Sequence, residues 1–447
     1  MRRYGIVSGV LVAAVLLAGT AQAISQGPGG RLYLAGMTTS GPTTTKLYSI
    51  VLDQNWNIVG GGGGGGAGQI YHGTITDTWA GYSQQKETAG CSPELETYAG
   101  SGYGKIVMGA YYNNSPGSTT GQQTLDVLRI TPDGTPGLSI QSLGDGRARA
   151  GDDCHTDGGL WAVPDPKGLY TGGAGRYSIQ VNDGGTGTWD YNHQLVVRDT
   201  NGDGDVTDDP NDYLAVLHSE AGLYGQKKDQ EIYGERMYTK QYGSGNTVYY
   251  YKNTGGTITR TQFGPTLSWM TYEVGLAAGE VKDQAGKSHQ ATWTVDYVGD
   301  SDPWIVLLAD WDDDGDALDA GEYHPIYGVS DANVSPYDDP NYYTGDLELV
   351  KNADGKLFLL VSRNDSPTGG LIYVLELDDN GDYSLGFSGI HAIMATADGY
   401  VFPNDWGESE IEFDSNLNVP IPEPTTMLLV GTGVLGVLGY IRRRRMN

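Results

Sequence analysis

The stretch Lys356-Leu-Phe-Leu-Leu-Val361 is typical of a β-strand, and after a Ser-Pro-Thr-Gly-Gly loop the chain returns as a second strand, Leu371-Ile-Tyr-Val-Leu-Glu-Leu-Asp378. The same pattern occurs near the N-terminus, where Arg31-Leu-Tyr-Leu34 is followed by a polar loop and by Lys46-Leu-Tyr-Ser-Ile-Val-Leu-Asp53. In both copies 22 positions separate the first basic residue from the final aspartate. The sequence therefore predicts a repeated β-hairpin.

Weaker copies of this hairpin recur along the chain, at intervals of 36 to 80 residues between successive returning strands. They span residues 105–133, 169–199, 236–253 and 292–310, with a shortened copy at 400–414. Hairpins that recur at this scale without helices are typical of propeller blades, which bury their faces against one another. We predict a β-propeller-like ring of about six or seven degenerate blades. A pair of β-sandwiches with similar hairpins is the alternative.

The composition supports an all-β fold and limits the possible partners. The chain has 69 Gly and 31 Tyr in 447 residues but only 5 Phe, and it lacks long helical periodicity. Its formal net charge of −28 argues against nucleic acid as a partner and suits cation binding. Seven consecutive glycines, Gly60 to Gly66, lie in a segment (60–68) that we interpret as a surface loop.

Two aspartate-rich segments share the pattern D-x-[DN]-x-D-G-D-x-x-D, which is typical of calcium loops. Alternating oxygen ligands with a glycine at the sharp turn let a short segment surround a hard cation. The predicted ligands are Asp199, Asn201, Asp203, Asp205 and Asp208 in the first loop, and Asp310, Asp312, Asp314, Asp316, Asp319 and Glu322 in the second. The sequence thus predicts two Ca²⁺ sites.

These loops differ from EF-hands, because the segments that enter them resemble strands and Glu322 lies one position too late. The alternative is a solvated acidic turn without metal, since Asp and Asn favour turns in any case. Trp311, inside the second loop, is predicted to be exposed. The shorter segment Asp378 to Asp382 is interpreted as a plain turn.

The N-terminus has the features of a secretory signal peptide. Arg2 and Arg3 precede an apolar stretch, and Ala21-Gln-Ala23 offers a cleavage site, so residues 1–23 are predicted to be removed by signal peptidase. An uncleaved membrane anchor is the alternative. The predicted β-domain then extends over residues 24–418.

The C-terminal segment 419–447 combines three ordered elements: Pro422-Glu423-Pro424, an apolar run from Met427 to Ile441, and four arginines. The arginines favour a transmembrane helix whose end stays in the cytoplasm. This tail resembles the PEP-CTERM sorting signal, the tag of exosortase-type membrane peptidases. The resemblance implies export, a transient membrane anchor, cleavage near the Pro-Glu-Pro motif and an association with exopolysaccharide. An ordinary C-terminal membrane helix is the alternative.

The remaining candidates for chemistry are few. Cys91 and Cys154 are the only cysteines, and they are predicted to form a disulfide outside the cell. The segment Asp152 to Asp157, with His155, is either an active-site loop or a turn held by that disulfide. No His-Glu-x-x-His, Cys-x-x-Cys or Gly-x-Ser-x-Gly pattern is present. We predict a non-catalytic surface or matrix protein that binds glycans or proteins. A secreted polysaccharide-active hydrolase or lyase is the alternative.

Overall fold

The structure, a computed structural model, describes the β-strands and the turns that join some of them. The residues described are 24–38, 44–59, 69–75, 88–89, 93–96, 105–112, 124–130, 138–145, 160–164, 176–185, 188–198, 213–221, 227–241, 247–254, 257–268, 275–297, 303–328, 343–364, 371–382, 390–394 and 409–414. All regular elements in these ranges are β-strands, which confirms the all-β prediction. The same ranges contain no helix that is long and apolar enough to cross a membrane.

In the described ranges, twenty-five strands form six antiparallel sheets, numbered here in chain order. Sheet 1 contains β1 (Gly30–Thr38), β2 (Thr44–Leu52), β3 (Gln69–Ile75) and the last strand, β25 (Ser409–Asp414). Sheet 2 contains β4 (Thr88–Ala89), β5 (Pro93–Glu96), β6 (Lys105–Tyr112), β7 (Thr124–Ile130) and β8 (Leu138–Asp145). Sheet 3 contains β9 (Leu160–Pro164), β10 (Arg176–Gly185), β11 (Thr188–Arg198) and β12 (Tyr213–Ala221).

The other three sheets each consist of four consecutive strands. Sheet 4 contains β13 (Lys227–Tyr233), β14 (Arg236–Gln241), β15 (Thr247–Thr254) and β16 (Thr257–Gln262). Sheet 5 contains β17 (Leu276–Lys282), β18 (Ser288–Tyr297), β19 (Pro303–Ala309) and β20 (Tyr323–Gly328). Sheet 6 contains β21 (Tyr343–Lys351), β22 (Leu357–Asn364), β23 (Leu371–Glu376) and β24 (Ile390–Met394).

Six of the predicted hairpins are the two middle strands of the six sheets. In sheet 1, β1 pairs with β2 so that Leu32 lies opposite Ile50, and in sheet 6, β22 pairs with β23 so that Leu360 lies opposite Val374. The shortened copy at 400–414 is different. Its strand β25 pairs with β1 and so belongs to sheet 1, whereas residues 400–408 lie outside the described ranges. Strand β25 thereby pairs with the backbone N–H and C=O groups on the edge of β1 that β2 leaves open.

Strand β22 is apolar without alternation over residues 357–361 because both of its faces are buried. On β22, Leu357, Leu359 and Val361 pack in one cluster with side chains of sheet 5. Phe358 and Leu360 point the other way and pack in a second cluster with side chains of sheet 1. A strand covered on both faces needs a continuous apolar sequence. Sheet 6 therefore packs with one face on sheet 5 and with the other on sheet 1, and these parts of the core lie between neighbouring sheets.

Four turns that follow the ends of strands share one hydrogen-bonding scheme. They begin at Asp53, Asp283, Asn352 and Asp378, whose side-chain Oδ1 accepts the N–H groups two and four positions later at 2.8–3.0 Å. Their fourth residue has a left-handed backbone, and in the last three turns this residue is glycine. The segment Asp378 to Asp382 is thus a capped turn, as expected from its sequence.

Trp56 occupies the glycine position of the first of these turns, with φ of 64°. A bulky residue is strained in this region by about 1–3 kcal/mol. Its indole is buried, however, with its ring centroid 5.1 Å from that of Phe358 and 6.0 Å from that of Phe413. The contacts between sheets 1 and 6 offset the local strain.

Candidate metal centre

The loop between β19 and β20, residues 310–322, carries the second predicted calcium site. Strand β19 is apolar and buried through Ala309, and Asp310 follows it with only 2% of its surface exposed. The N–H of Asp310 donates to the carbonyl of Gln290 at 2.9 Å, which attaches the start of the loop to β18. The chain then turns sharply, with Asp313 at φ of 62° and Gly315 at φ of 114°. Asp and Gly are residues that adopt this region.

Three of the six predicted ligands come together in this loop. Carboxylate oxygens of Asp310, Asp312 and Asp314 lie within 4.8 Å of one another. Asp310 is buried, whereas Asp312 and Asp314 are exposed. The Oδ1 atom of Asp310 is buried and has no hydrogen-bond partner. A buried carboxylate oxygen without a donor costs free energy, so this atom is suited to a ligand.

Successive aspartates fold the backbone around this cluster. Oδ1 of Asp312 accepts the N–H of Asp314 at 3.1 Å, and Oδ1 of Asp314 accepts the N–H of Asp316 at 3.1 Å. Oδ1 of Asp316 in turn accepts the N–H of Leu318 at 3.0 Å. The alternating spacing that suggested metal ligands thus also builds a series of Asx turns.

Glu322 lies at the end of the loop and closes it through the backbone. Its Oε1 accepts the N–H of Trp311 and its Oε2 accepts the N–H of Asp319, both at 2.9 Å. Burial raises the pKa of Glu322, and these two hydrogen bonds partly offset the effect. The structure therefore places Glu322 as a clamp on the loop backbone, outside the three-carboxylate group.

Basic side chains from β14, from β18 and from the turn before β18 contact the loop, and the sequence pattern did not reveal them. Arg236, on β14 of sheet 4, places Nη1 3.9 Å from Oδ2 of Asp310 and donates to the carbonyl of Gly315 at 3.3 Å. Lys287 forms an ion pair with Asp313. His289 places Nδ1 3.0 Å from both Oδ1 of Asp313 and the carbonyl oxygen of Asp310.

The surroundings of Asp310 raise the pKa of its carboxyl above the ordinary value. Burial raises the pKa of Asp310, and the nearby Asp313 and Asp314 carboxylates act in the same direction. A hydrogen bond from Gly315 and the Arg236 guanidinium oppose this without reversing it. By contrast, the Lys287 ammonium lowers the pKa of Asp313. The buried end of the cluster is therefore the part where an ionised carboxylate is least stabilised.

The donor set fits a hard divalent cation. Carboxylate oxygens are the ligands of Ca²⁺, and a flexible loop with several such oxygens suits its variable coordination. Within the described ranges, this is the one group of three His, Cys, Asp or Glu side chains close enough to share an ion. Asp316 and Asp319 lie in the same loop but outside that group.

Several predicted features lie outside the part of the chain that the structure describes. These are the first predicted calcium loop (Asp199, Asn201, Asp203, Asp205 and Asp208), the cysteines Cys91 and Cys154, the segment 152–157, both chain ends and the motif Pro422-Glu423-Pro424. They stay predictions as far as the structure is concerned.

The C-terminal tail matches a known family. Residues 420–445 match the PEP-CTERM protein-sorting motif, which confirms the resemblance noted for the tail. The chain therefore carries the sorting motif of exosortase substrates, a class of exported proteins. No curated protein has a sequence that matches this chain.

Among solved structures, the likeness is distant. AofleA from Arthrobotrys oligospora is 10% identical over 87% of this chain and 90% of that chain, with a TM-score of 0.39. A putative 6-phosphogluconolactonase from Bacteroides uniformis is 13% identical over 86% and 99%, with a TM-score of 0.36. The sialidase of Trypanosoma rangeli is 11% identical over 76% and 53%, with a TM-score of 0.38. These scores are too low to decide function.

Proposed function

We propose that this chain is an exported surface or matrix protein that signal peptidase and an exosortase-type peptidase process at its two ends. The observation that carries this proposal is the sorting motif at residues 420–445. A membrane helix followed by arginines retains the tail in the membrane while the bulk of the chain is translocated. Cleavage near Pro422-Glu423-Pro424 then releases the β-domain to the cell surface or matrix.

We further propose that the six sheets are the blades of a propeller-like ring. The contacts between sheets support a cyclic order: β25 contacts β21, β21 contacts β17, β17 contacts β13, β13 contacts β9, β9 contacts β5, and β5 contacts β25. The pairing of β25 with β1 joins the two ends of the domain within one sheet. A ring of this kind leaves only short, protected sheet edges, which suits a domain that works outside the cell.

In this proposal Ca²⁺ binds the loop 310–322 through Asp310, Asp312 and Asp314, and a second ion binds the related loop at 199–208. The buried, unpartnered Oδ1 of Asp310 supports the first site. Bound calcium would neutralise carboxylates that otherwise repel one another and would stabilise the loop. The role assigned to the ion is structural, and the domain itself is proposed to bind glycans or proteins without catalysis.

Two measurements test the proposal. Intact-mass analysis of the protein from its native host should show that residues 1–23 and the segment after the Pro-Glu-Pro motif are absent. A mature chain that still carries Arg442–Arg445 would contradict sorting by cleavage. Thermal unfolding should shift upward with free calcium and downward with chelator, by about 2.7 kcal/mol at a hundredfold excess over Kd. Unchanged unfolding under both conditions would show that the acidic loops bind no calcium.

A further inference from the structure

A pocket of about 320 Å³ lies beside the candidate metal centre, between sheets 5 and 6. Three segments form its walls: the turn 283–287, the loop 310–322 and the turn 378–382. The residues that line it are distinct from the three carboxylates of the metal centre and from the sorting motif. Its volume lies at the lower end of the range of about 300–1,000 Å³ for small-molecule sites.

The walls of the pocket are rigid and joined across the two sheets. The N–H of Lys282 donates to the carbonyl of Asp379 at 2.7 Å, and the indole N–H of Trp293 donates to the carbonyl of Gly381 at 3.0 Å. His324 Nε2 lies 3.2 Å from Oδ2 of Asp382. A site whose walls are already ordered loses little entropy when a ligand binds.

The apolar part of the pocket is formed by Trp311 and Leu307. Trp311 is half-buried, contrary to the expectation from its loop position, because it packs against the core cluster between sheets 5 and 6. Its ring centroid lies 5.3 Å from that of His289, in an edge contact. An indole that is held in place and still lines a cavity offers a fixed apolar surface for a ligand.

The polar part of the pocket offers both donors and acceptors. Gln284 and Asn380 are exposed amides, which can donate and accept, and the exposed His324 adds an imidazole. The two carboxylates are already engaged: Asp382 pairs with His324, and Oδ1 of Asp283 accepts two N–H groups of its own turn. A neutral ligand with many hydroxyl groups can use the mixed donors and acceptors present here.

We infer that this pocket is a saccharide-binding site, in which a neutral sugar unit packs on Trp311 and bonds to Gln284, Asn380 and His324. The inference rests on the binding role proposed above and names the ligand class for it. It does not depend on calcium or on processing of the chain ends. An aromatic surface next to amide and imidazole groups matches a sugar ring, which has an apolar C–H face and a rim of hydroxyl groups.

The test is saturation-transfer NMR on the exported protein from its native host, with methyl glycosides of glucose, galactose and mannose and with N-acetylglucosamine as probes. At least one probe should bind the wild type. Trp311→Ala should weaken binding about tenfold, and Asn380→Ala by about three- to tenfold, as lost packing and lost hydrogen bonds predict. Trp304→Ala is the matched control, because Trp304 lies near the start of β19, whereas Trp311 follows the other end of the same strand. This variant should bind as the wild type does.

Three results would overturn the inference. The folded wild type could bind none of the probes, both pocket variants could bind as tightly as the wild type, or tetramethylammonium could bind in place of the sugars. Because Asn380 is exposed, Asn380→Ala remains informative even if Trp311→Ala unfolds the protein. Failed sorting is seen separately in the intact mass, so it is distinguishable from failed sugar binding.

Discussion

The carboxylate of Glu322 accepts a hydrogen bond from the backbone N–H of Trp311 at 2.9 Å and so joins the end of the acidic loop to its beginning. The second oxygen of the same carboxylate accepts the N–H of Asp319 at 2.9 Å. Glu322 is 3% exposed, so water cannot replace it as an acceptor without reorganising the loop. This side chain therefore holds the backbone of Trp311, whose indole lines the pocket.

Replacement of Glu322 by Gln should destabilise the protein by about 1–3 kcal/mol, because an amide has one acceptor oxygen and turns its NH2 donor toward one of the two backbone N–H groups that the carboxylate accepts. Urea unfolding at fixed free calcium measures the change. Glu235→Gln is the control, since Glu235 is exposed and 3.6 Å from Lys252. That change should stay within about 0.5 kcal/mol. Equal stability of Glu322→Gln and wild type would show that the clamp has no energetic role.

Asp314→Asn should reduce the calcium-induced rise in Tm while leaving the loop intact. The Asn side chain keeps an oxygen that can accept the N–H of Asp316, so the turn is preserved and only the charge is lost. Asp354→Asn is the control, because Asp354 lies in an ordinary turn outside the acidic cluster. Calorimetric melting with and without calcium distinguishes the two variants. An unchanged calcium response in Asp314→Asn would remove this residue from the proposed ligands.

Two glycines with the same backbone conformation should respond differently to alanine. Gly286, at φ of 81°, has nothing within 4 Å of an added Cβ, so Gly286→Ala should cost about 1–2 kcal/mol from backbone strain alone. At Gly381, at φ of 78°, the Cβ would lie 2.5 Å from Val281 and 2.9 Å from Trp293. Gly381→Ala should therefore cost about 1–3 kcal/mol more. Denaturant unfolding compares them, and equal losses would contradict the close packing at Gly381.

The stability of the domain should fall at acid pH through Glu376. Burial raises the pKa of this carboxyl, but the Lys356 ammonium and two hydrogen bonds from Ser25 outweigh burial and lower the pKa overall. Such a group contributes stability above its unfolded pKa of about 4.3, and the contribution is lost as the pH falls through the lower folded value. Unfolding between pH 6 and 3 should show a smaller decline in Glu376→Gln than in wild type. Parallel pH curves would rule out this role.

The sequence alone was sufficient for features that depend on local hydrogen bonding and local burial. The hairpin strands were predictable because a strand with both faces covered must be continuously apolar, as at residues 357–361. The turn at 378–382 was predictable because an aspartate caps its own backbone and glycine permits the left-handed residue. The sorting tail was recognisable because its three elements are contiguous. The spacing of Asp310, Asp312 and Asp314 likewise indicated a shared cluster.

Tertiary structure decided the features that depend on which strands become neighbours. The segment 411–414 pairs with the edge of β1 that β2 leaves open, and no local pattern shows which edge it will join. Arg236 reaches the acidic loop from sheet 4, and no local pattern marks it. Trp56 occupies a glycine position because its indole fills the space between sheets 1 and 6. Long-range packing is strong enough to override local backbone preference at such positions, and a sequence pattern contains no information about that packing.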